Sequence, residues 1–307
     1  MIARKKIFWV SIFVVFYLVL ADLIAPFDPI MSLDRENLSS LPPLTRVYEI
    51  NLKDGGKVIA FDYVKQGEFV YYTQKFSRGR VKLEDLKNVR SLLFVFGTDN
   101  LGRDVLSRTI YGGKISLLVG IIASFIALFV GLIVGVFAGY FGGIIDKVLM
   151  RITDVFLAFP KLFLVLVVVS LSSGQTIFSL ILILGLLSWM GIARFTRAEF
   201  LKLKNMEFVL ALEAIGFPDL KIALRHILPN AILPSLVNMP LLIGDLILTE
   251  SILSFIGFGV QPPTPTWGSM ISEAEKSLLS TWWLPIPPGI LISATVLIMN
   301  WASEIEE

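Results

Sequence analysis

Long apolar segments constrain this chain more than any other feature, because a helix of roughly 20 apolar residues can cross about 30 Å of lipid hydrocarbon. Six segments meet this length or nearly do, and hydrophobic residues make up 55% of the sequence. In lipid each backbone amide must be satisfied within its own segment, as an α-helix allows. The sequence therefore predicts an all-α membrane protein with six transmembrane helices, at Ile7–Ala25, Ile115–Ala138, Val148–Leu171, Ile177–Ala193, Ala231–Phe258 and Leu284–Trp301.

The N-terminal segment, residues 1–25, begins with a basic cluster and ends before Pro26. A cleaved signal peptide has a shorter apolar core that ends in small residues. We therefore interpret residues 1–25 as an uncleaved transmembrane anchor. Residues 26–96 follow as a long loop, and residues 97–307 hold the other five predicted spans.

Basic residues indicate the side of the membrane on which each loop lies, because Lys and Arg concentrate in short cytoplasmic loops. Short loops on one side hold only Lys276, and the other side is predicted to be cytoplasmic together with both termini. Arg103, Arg108 and Lys114 fall on the outer side, and we interpret their segment as an interfacial helix that ends the long loop. The basic residues assigned to the cytoplasmic side are Arg4, Lys5, Lys6, Lys147, Arg151, Arg194, Arg197, Lys202, Lys204, Lys221 and Arg225.

The long loop of residues 26–96 is predicted to be extracytoplasmic. Apolar and polar residues alternate over 47–52, 58–64 and 69–72, with a glycine turn between the first two stretches. Such alternation is typical of β-strands. We therefore expect a small β-rich insert within residues 43–92. It either touches a partner or forms a solvated cap, and the sequence leaves both open.

Composition excludes most catalytic chemistry. There is no cysteine and a single histidine, His226, so disulfides, thiolate zinc sites and histidine metal clusters are excluded. No phosphate-binding glycine loop, zinc-protease helix or nucleophile elbow occurs. The chain is therefore predicted not to be an enzyme, and not to hydrolyse ATP by itself. A net charge of only +2 gives no reason to expect nucleic acid as a partner. We interpret His226 as a packing or capping residue.

Two carboxylates lie within the fifth predicted span, where a charge is costly unless it is paired or faces water. Asp245 and Glu250 are five residues apart, so they lie on different helix faces. Each either lines a translocation path or bonds between helices, and both hypotheses stay open. Arg151, Asp154 and Lys161 of the third span are interpreted as interfacial.

Three glycines of the second predicted span, Gly131, Gly135 and Gly139, are spaced four residues apart and share one helix face. Small residues at this spacing let two helices approach closely. We predict a helix-packing contact there.

The cytoplasmic loop of residues 195–230 is too long for a simple connection and is patterned as a helical hairpin. A first helix is predicted over Arg194–Ile215, with Gly216 as its end. Pro218 and Asp219 begin a second helix that Pro229 is predicted to stop.

Apolar residues on the first helix of this hairpin recur at helical spacing, at Phe208, Leu212 and Ile215. A stripe of this kind must be covered. It either packs on the spans of the chain itself or enters a groove on a partner.

Motifs along the chain resemble, in order, those of binding-protein-dependent ABC importer permeases of the dipeptide, oligopeptide and nickel group. The resemblance covers the first span and nearly everything from Gly97 to Asn300. The motifs are Gly97-Thr98-Asp99-Asn100-Leu101-Gly102-Arg103-Asp104-Val105-Leu106-Ser107-Arg108, Ala158-Phe159-Pro160, Glu213-Ala214-Ile215-Gly216, Arg225-His226-Ile227-Leu228-Pro229-Asn230, Leu253-Ser254-Phe255-Ile256-Gly257-Phe258-Gly259 and Trp267-Gly268.

This resemblance implies a type I (MetI-like) importer permease fold in the cytoplasmic (inner) membrane. It implies four kinds of partner: a second, similar permease subunit, two ABC ATPase subunits, an extracytoplasmic solute-binding protein and the lipid bilayer. ATP and Mg²⁺ are expected in the ATPase subunits, and no cofactor or metal is expected in this chain.

The resemblance also implies that residues 195–230 form a coupling loop, with a helix that sits in a cleft of an ATPase. The family's Glu-Ala-Ala motif aligns with Leu210, Ala211 and Leu212, so two of the three residues differ from the motif. Glu213 lies near the motif's glutamate position but does not align with it. The residues predicted for coupling are Leu210, Ala211, Leu212, Glu213, Ala214, Gly216, Pro218 and Asp219.

Short peptides are the solute that the resemblance favours, and it leaves oligosaccharides and nickel open. An ion-coupled secondary transporter, with Asp245 and Glu250 as proton or sodium sites, is the alternative of another class. The insert at 43–92 and the tail after Asn300 depart from the family, so the resemblance does not explain the insert and does not support the contact that the family's usual tail makes.

Overall fold

The computed structural model describes residues 2–172 and 176–304, and these form two compact units. The predicted turn at 173–175 and the last residues of the tail, 305–307, lie outside the described residues. The first unit comprises Met1–Phe16, Ser116–Gln261 and Ile292–Glu307, and the second comprises Tyr17–Ile115 and Pro262–Leu291.

Helices account for most of the described chain. In chain order they are α1 Ile2–Ile24, α2 Arg35–Leu38, α3 Val105–Phe141, α4 Gly143–Ala158, α5 Lys161–Leu171, α6 Ile177–Leu186, α7 Met190–Lys204, α8 Glu207–Ala214, α9 Asp219–Ile222, α10 Leu228–Ala231, α11 Leu233–Val237, α12 Met239–Ile256, α13 Trp267–Glu275 and α14 Ile286–Ser303, with a π-helical turn at Ala223–Ile227.

Strands of the second unit form two three-stranded antiparallel sheets, with orders β2-β1-β6 and β3-β4-β5. Val47 and Ile50 point to opposite faces of β1, and each is buried in a separate apolar cluster, Val47 with Phe94 and Ile50 with Val70. The strands are β1 Thr45–Leu52, β2 Lys57–Ala60, β3 Asp62–Gln66, β4 Phe69–Thr73, β5 Arg78–Lys82 and β6 Leu86–Phe94.

Among the described residues, four helices are long and apolar enough to cross a membrane, or five if one bent pair counts as a span. The four are Val105–Phe141, Ile177–Lys204, Met239–Ile256 and Ile286–Ser303. The predicted count of six is therefore not confirmed. The difference lies in α1, a helix of 23 residues whose fully described apolar stretch is Val14–Ile24.

The third predicted span is not straight, because α4 and α5 meet at an angle of 89°. Pro160 lies at the bend and has no N–H to donate, and Phe159 before it takes an extended backbone conformation. The prediction of one continuous helix over Val148–Leu171 is wrong for this reason.

Three other predicted boundaries are wrong. The fourth span, predicted to end at Ala193, continues to Lys204, with a short irregular turn between α6 and α7. The helix predicted over Arg194–Ile215 breaks after Lys204 and resumes as α8. Pro229 does not stop a helix, since it lies in the first turn of α10, where no N–H is required.

The fifth predicted span, Ala231–Phe258, is divided. Its prolines lie at the starts of α11 and α12, so only α12 is long enough to span. Pro240 is tolerated within the first turn of α12, where helix N–H groups have no intrahelical partner.

Candidate functional site

The segment from α7 to α10 is fixed to the rest of the first unit by an apolar cluster. Phe200 of α7, Val209 of α8 and Ile222 of α9 are fully buried. They pack with Val136 and Tyr140 near the end of α3. Burial of one such side chain stabilises by about 1.5–3 kcal/mol, so the loop is a packed part of this unit.

The end of α8 is closed by a pair of backbone hydrogen bonds. The Phe217 N–H donates to the Leu212 carbonyl at 3.0 Å, and the Gly216 N–H donates to the Glu213 carbonyl at 3.0 Å. This is a Schellman motif, which requires a left-handed residue after the helix. Gly216 supplies it, with φ of +75°. The sequence prediction of a helix end at Gly216 is confirmed.

Polar contacts hold the loop to the end of α3. The Tyr140 hydroxyl donates to Asp219 Oδ1 at 3.0 Å, and Lys204 Nζ donates to the Tyr140 carbonyl at 2.7 Å. The Lys204 ammonium also lies over the Tyr140 ring, 4.8 Å from its centroid. Asp219 in the first turn of α9 also suits the positive end of that helix.

Large apolar side chains remain exposed on the other face of this segment. Ile215 is the most exposed of them, at 72%. The sequence stripe is thus divided, since Leu212 is half-buried against the cluster whereas Phe208 and Ile215 are exposed. We define the loop apolar surface as Phe208, Leu210, Ile215, Leu220 and Leu224.

The residues predicted for coupling therefore separate by burial. Leu212 is half-buried, and the others are exposed: Leu210, Ala211, Glu213, Ala214, Gly216, Pro218 and Asp219.

The glycine stripe of α3 faces α7. A Cβ on Gly131 would lie 2.6 Å from the Ile192 Cβ, one on Gly135 would lie 2.5 Å from the Thr196 Cβ, and one on Gly139 would lie 2.5 Å from the Phe200 Cβ. Only glycine permits helices to approach this closely. The stripe thereby sets the position of α7 against α3.

The two carboxylates of α12 differ in environment. Glu250 is fully buried and accepts hydrogen bonds from Ser254 Oγ at 2.6 Å and Ser116 Oγ at 3.3 Å. Asp245 has a side chain that is 56% exposed, and its Oδ2 lies 2.5 Å from Lys161 Nζ. The sequence interpretation of Lys161 as interfacial missed this pair, because no pattern links positions 84 residues apart.

Asp245 lies at a cleft of about 550 Å³ in the first unit. The cleft also takes in polar side chains of α11–α12 and α14, including Asn238 and Asn300. Its walls are otherwise mainly apolar. Among the described residues, no group of three His, Asp or Glu side chains is placed to hold a metal ion.

Most of the chain is similar to known transport proteins. Residues 131–305 match the family described as "Binding-protein-dependent transport system inner membrane component". The chain belongs to this family. It is 45% identical over 210 residues to the oligopeptide transport system permease protein OppC of Salmonella typhimurium, covering 68% of this chain and 69% of that protein.

Another relative of the permease is the glutathione transport system permease protein GsiD of Shigella flexneri, which is 42% identical over 217 residues and is matched over 71% of both chains. Among solved structures, a chain of the MetNI methionine ABC transporter in an inward-facing conformation aligns with a TM-score of 0.53 at 18% identity. It covers 64% of the permease and 94% of that chain. The permease therefore has the type I importer fold and is a multi-pass membrane protein.

In the second unit, the permease buries charges that the sequence interpretation placed at a membrane surface. Arg103 and Arg108 pair with Asp99 and Glu273 at 2.7–3.5 Å. Arg103 and Arg108 are both buried, and their partner Glu273 belongs to α13. Burial also raises the pKa of the neighbouring Asp104 carboxyl, and this effect outweighs the hydrogen bonds donated by Ser107, which lower it.

His226 of the permease has a packing role. Its ring lies edge-on to Phe217, with centroids 5.8 Å apart. Its Nε2 is buried, and no hydrogen-bond partner is found for it among the described residues.

Replacing Tyr140 with phenylalanine is expected to loosen the permease loop, because only the hydroxyl bonded to Asp219 is removed. We expect a loss of about 1 kcal/mol. Protease cleavage between α7 and α10 of the detergent-solubilised protein should become faster. Tyr71→Phe, which alters an exposed strand tyrosine, is the matched control. Equal cleavage in both variants would contradict a holding role for the Tyr140 hydroxyl.

Proposed function

We propose that this permease takes up short peptides as one transmembrane subunit of an ATP-driven importer. A second, similar permease, two ATPase subunits that bind ATP and Mg²⁺, and an extracytoplasmic binding protein complete the assembly. Two relatives support peptides as substrate, because one is named for oligopeptides and the other for glutathione. Oligosaccharides and nickel remain alternatives within the same importer class.

The observation that carries this proposal is the loop apolar surface. Five large apolar side chains are exposed on a segment whose opposite face is packed on α3 and α7. Apolar surface on a loop beside the membrane is stabilised when a partner covers it. A rigid helix with such a face fits a groove in another protein, which we assign to an ATPase. An ion-coupled transporter would have no use for this surface.

In this proposal the loop of residues 195–230 and both termini are cytoplasmic, and six spans cross the membrane. The broken pair α4–α5 and helix α1 are then counted as spans. The strands within residues 43–92 lie on the extracytoplasmic side, between the anchor at 1–25 and the permease domain at 97–307.

Asp245 and Glu250 take different roles in this proposal. Asp245 lines the translocation path, because its carboxylate is exposed at a cleft. Glu250 joins α12 to α3, because it is fully buried and bonded to Ser116. We therefore propose only Asp245 as a residue of the path.

Changing Ile215 to lysine tests the coupling role. Ile215 is 72% exposed, and a basic residue at a helix C-terminus is favourable, so the fold should be unaffected. A charge on the covered face should weaken ATPase docking, and we expect uptake to fall at least tenfold, since burying an unpaired charge costs several kcal/mol. Measurements are nucleotide-dependent peptide uptake in proteoliposomes and co-purification of the ATPase subunits.

Leu201→Lys is the matched control, because it makes the same change at an exposed position of α7 beside Lys202. It should leave both measurements near wild type. The coupling assignment fails if Ile215→Lys retains ATPase subunits and uptake at the level of Leu201→Lys.

A further inference from the structure

The pair formed by Lys161 and Asp245 combines close contact with partial exposure. Its atoms Nζ and Oδ2 are 2.5 Å apart, yet the Lys161 and Asp245 side chains are 31% and 56% exposed. Both belong to apolar helices, α5 and α12. Asp245 is the seventh residue of α12, so about 9 Å of helix separates it from the start.

Covering this charged pair with lipid would be energetically costly. A charged side chain in hydrocarbon is costly, and such residues therefore face a helix interface or a water-filled cavity. The exposed face around Asp245 must then meet either the second permease subunit or an aqueous path. The adjoining cleft of about 550 Å³ lies within the range of ligand pockets.

Lys161 occupies a place where anions are favoured. It is the first residue of α5, directly after the 89° bend, and no acidic residue lies in the first turn of that helix. The positive helix end and the ammonium group therefore add together. Half-helices whose N-termini face anionic substrate groups recur in transporters, because the broken backbone supplies free N–H groups. Asp245 supplies the negative charge at this point.

The cleft offers further polar contacts beside the pair. Asn238 and Asn300 line it, and so does Ser188, whose hydroxyl is buried with no hydrogen-bond partner among the described residues. At Gly191 an added Cβ would meet nothing within 4 Å, so the backbone there borders open space. These polar groups stand on otherwise mainly apolar walls, so the cleft suits a solute that carries both polar and apolar groups.

We propose that the Lys161–Asp245 pair is a peptide-binding contact that opens to receive a zwitterionic substrate. Asp245 binds the free α-amino group, and Lys161 with the start of α5 binds the α-carboxylate. The pair then re-forms after the peptide has passed, so neither charge is left unpaired. This inference rests on the proposed function and specifies how the translocation path recognises its substrate.

The test uses the complete importer in proteoliposomes with three dipeptides: one with free termini, its N-acetylated form and its C-amidated form. Each peptide is supplied at a concentration that loads the binding protein equally, so recognition by that protein is held constant. Asp245→Asn should lower uptake of peptides with a free amino group about tenfold, and leave the N-acetylated form unchanged. Lys161→Gln should act in the same way on peptides with a free carboxylate.

Asp154→Asn is the matched control, because Asp154 forms a similarly exposed pair with Arg194 at 2.5 Å but does not line the cleft. It should not change the ratio between peptides. The yield of monodisperse complex is measured for every variant, which separates a loss of assembly from a loss of recognition.

The outcomes distinguish a failure of this inference from a failure of the proposed function on which it rests. If Asp245→Asn lowers uptake of all three peptides equally, or of none, while the wild-type importer transports them, the pair is structural and the inference alone fails. If the wild-type complex takes up no peptide but another solute with ATP, the proposed substrate fails and the inference fails with it.

Discussion

Replacing Glu273 with alanine is expected to destabilise the second unit by about 3 kcal/mol, near the lower end for a broken buried ion pair because this carboxylate is partly exposed. Glu273 accepts from Arg103 Nη2 at 2.7 Å and from Arg108 Nη2 at 2.9 and 3.0 Å. Without it, two guanidinium groups share one carboxylate, Asp99. Thermal unfolding of the purified complex measures the loss.

Glu275→Ala is the control for this variant, since it removes an exposed carboxylate from the same helix, α13. Its unfolding temperature should stay at the wild-type value. Equal unfolding temperatures for the two variants would show that the buried network contributes nothing to stability.

Gly135→Ala is expected to destabilise the first unit by up to about 2 kcal/mol, because overpacking costs about 1–3 kcal/mol and alanine returns part of this to the helix. The new Cβ would lie 2.5 Å from the Thr196 Cβ and 2.8 Å from the Ala193 carbonyl oxygen. That oxygen is backbone, so α3 and α7 must separate. The loss should exceed the gain of about 1 kcal/mol that alanine brings to a helix. Thermal unfolding in detergent measures the net effect.

Gly289→Ala is the matched control, because the same change in α14 meets nothing within 4 Å. It should be neutral or slightly stabilising. A Gly135→Ala protein as stable as Gly289→Ala would mean that α7 does not depend on the close approach to α3.

Periodic features of the chain could be predicted from the sequence. Gly131, Gly135 and Gly139 share a face because of their spacing alone, and the structure places that face against α7. The end of α8 at Gly216 followed in the same way, because a left-handed residue is needed there. Local rules of this kind depend on a few neighbouring residues.

Features that depend on residues far apart in the sequence could not be predicted. Lys161 of α5 meets Asp245 of α12 across 84 residues of sequence, and Arg108 meets Glu273 across 165 residues. The sequence gives each of these charges a sign but no partner. Burial of Arg103 and Arg108 was missed for the same reason, since an isolated charge is expected at a surface.

The bend between α4 and α5 was missed although its cause is visible. Pro160 predicts an interruption, but the angle depends on what each half packs against. The prediction of six spans treated such interrupted stretches as continuous. That α1 and the bent pair α4–α5 each cross the membrane stays a proposal.

The attachment of the loop to Tyr140 has a mechanical consequence. Tyr140 is the second-last residue of α3, a helix of 37 residues and therefore about 55 Å long. In the proposed importer, a force from the ATPase on α8 would reach α3 at its very end, and α3 would act as a long lever arm. Each degree of tilt displaces its opposite end by about 1 Å, given this length. Small strokes of a motor would thus become ångström-scale displacements without any flexible joint.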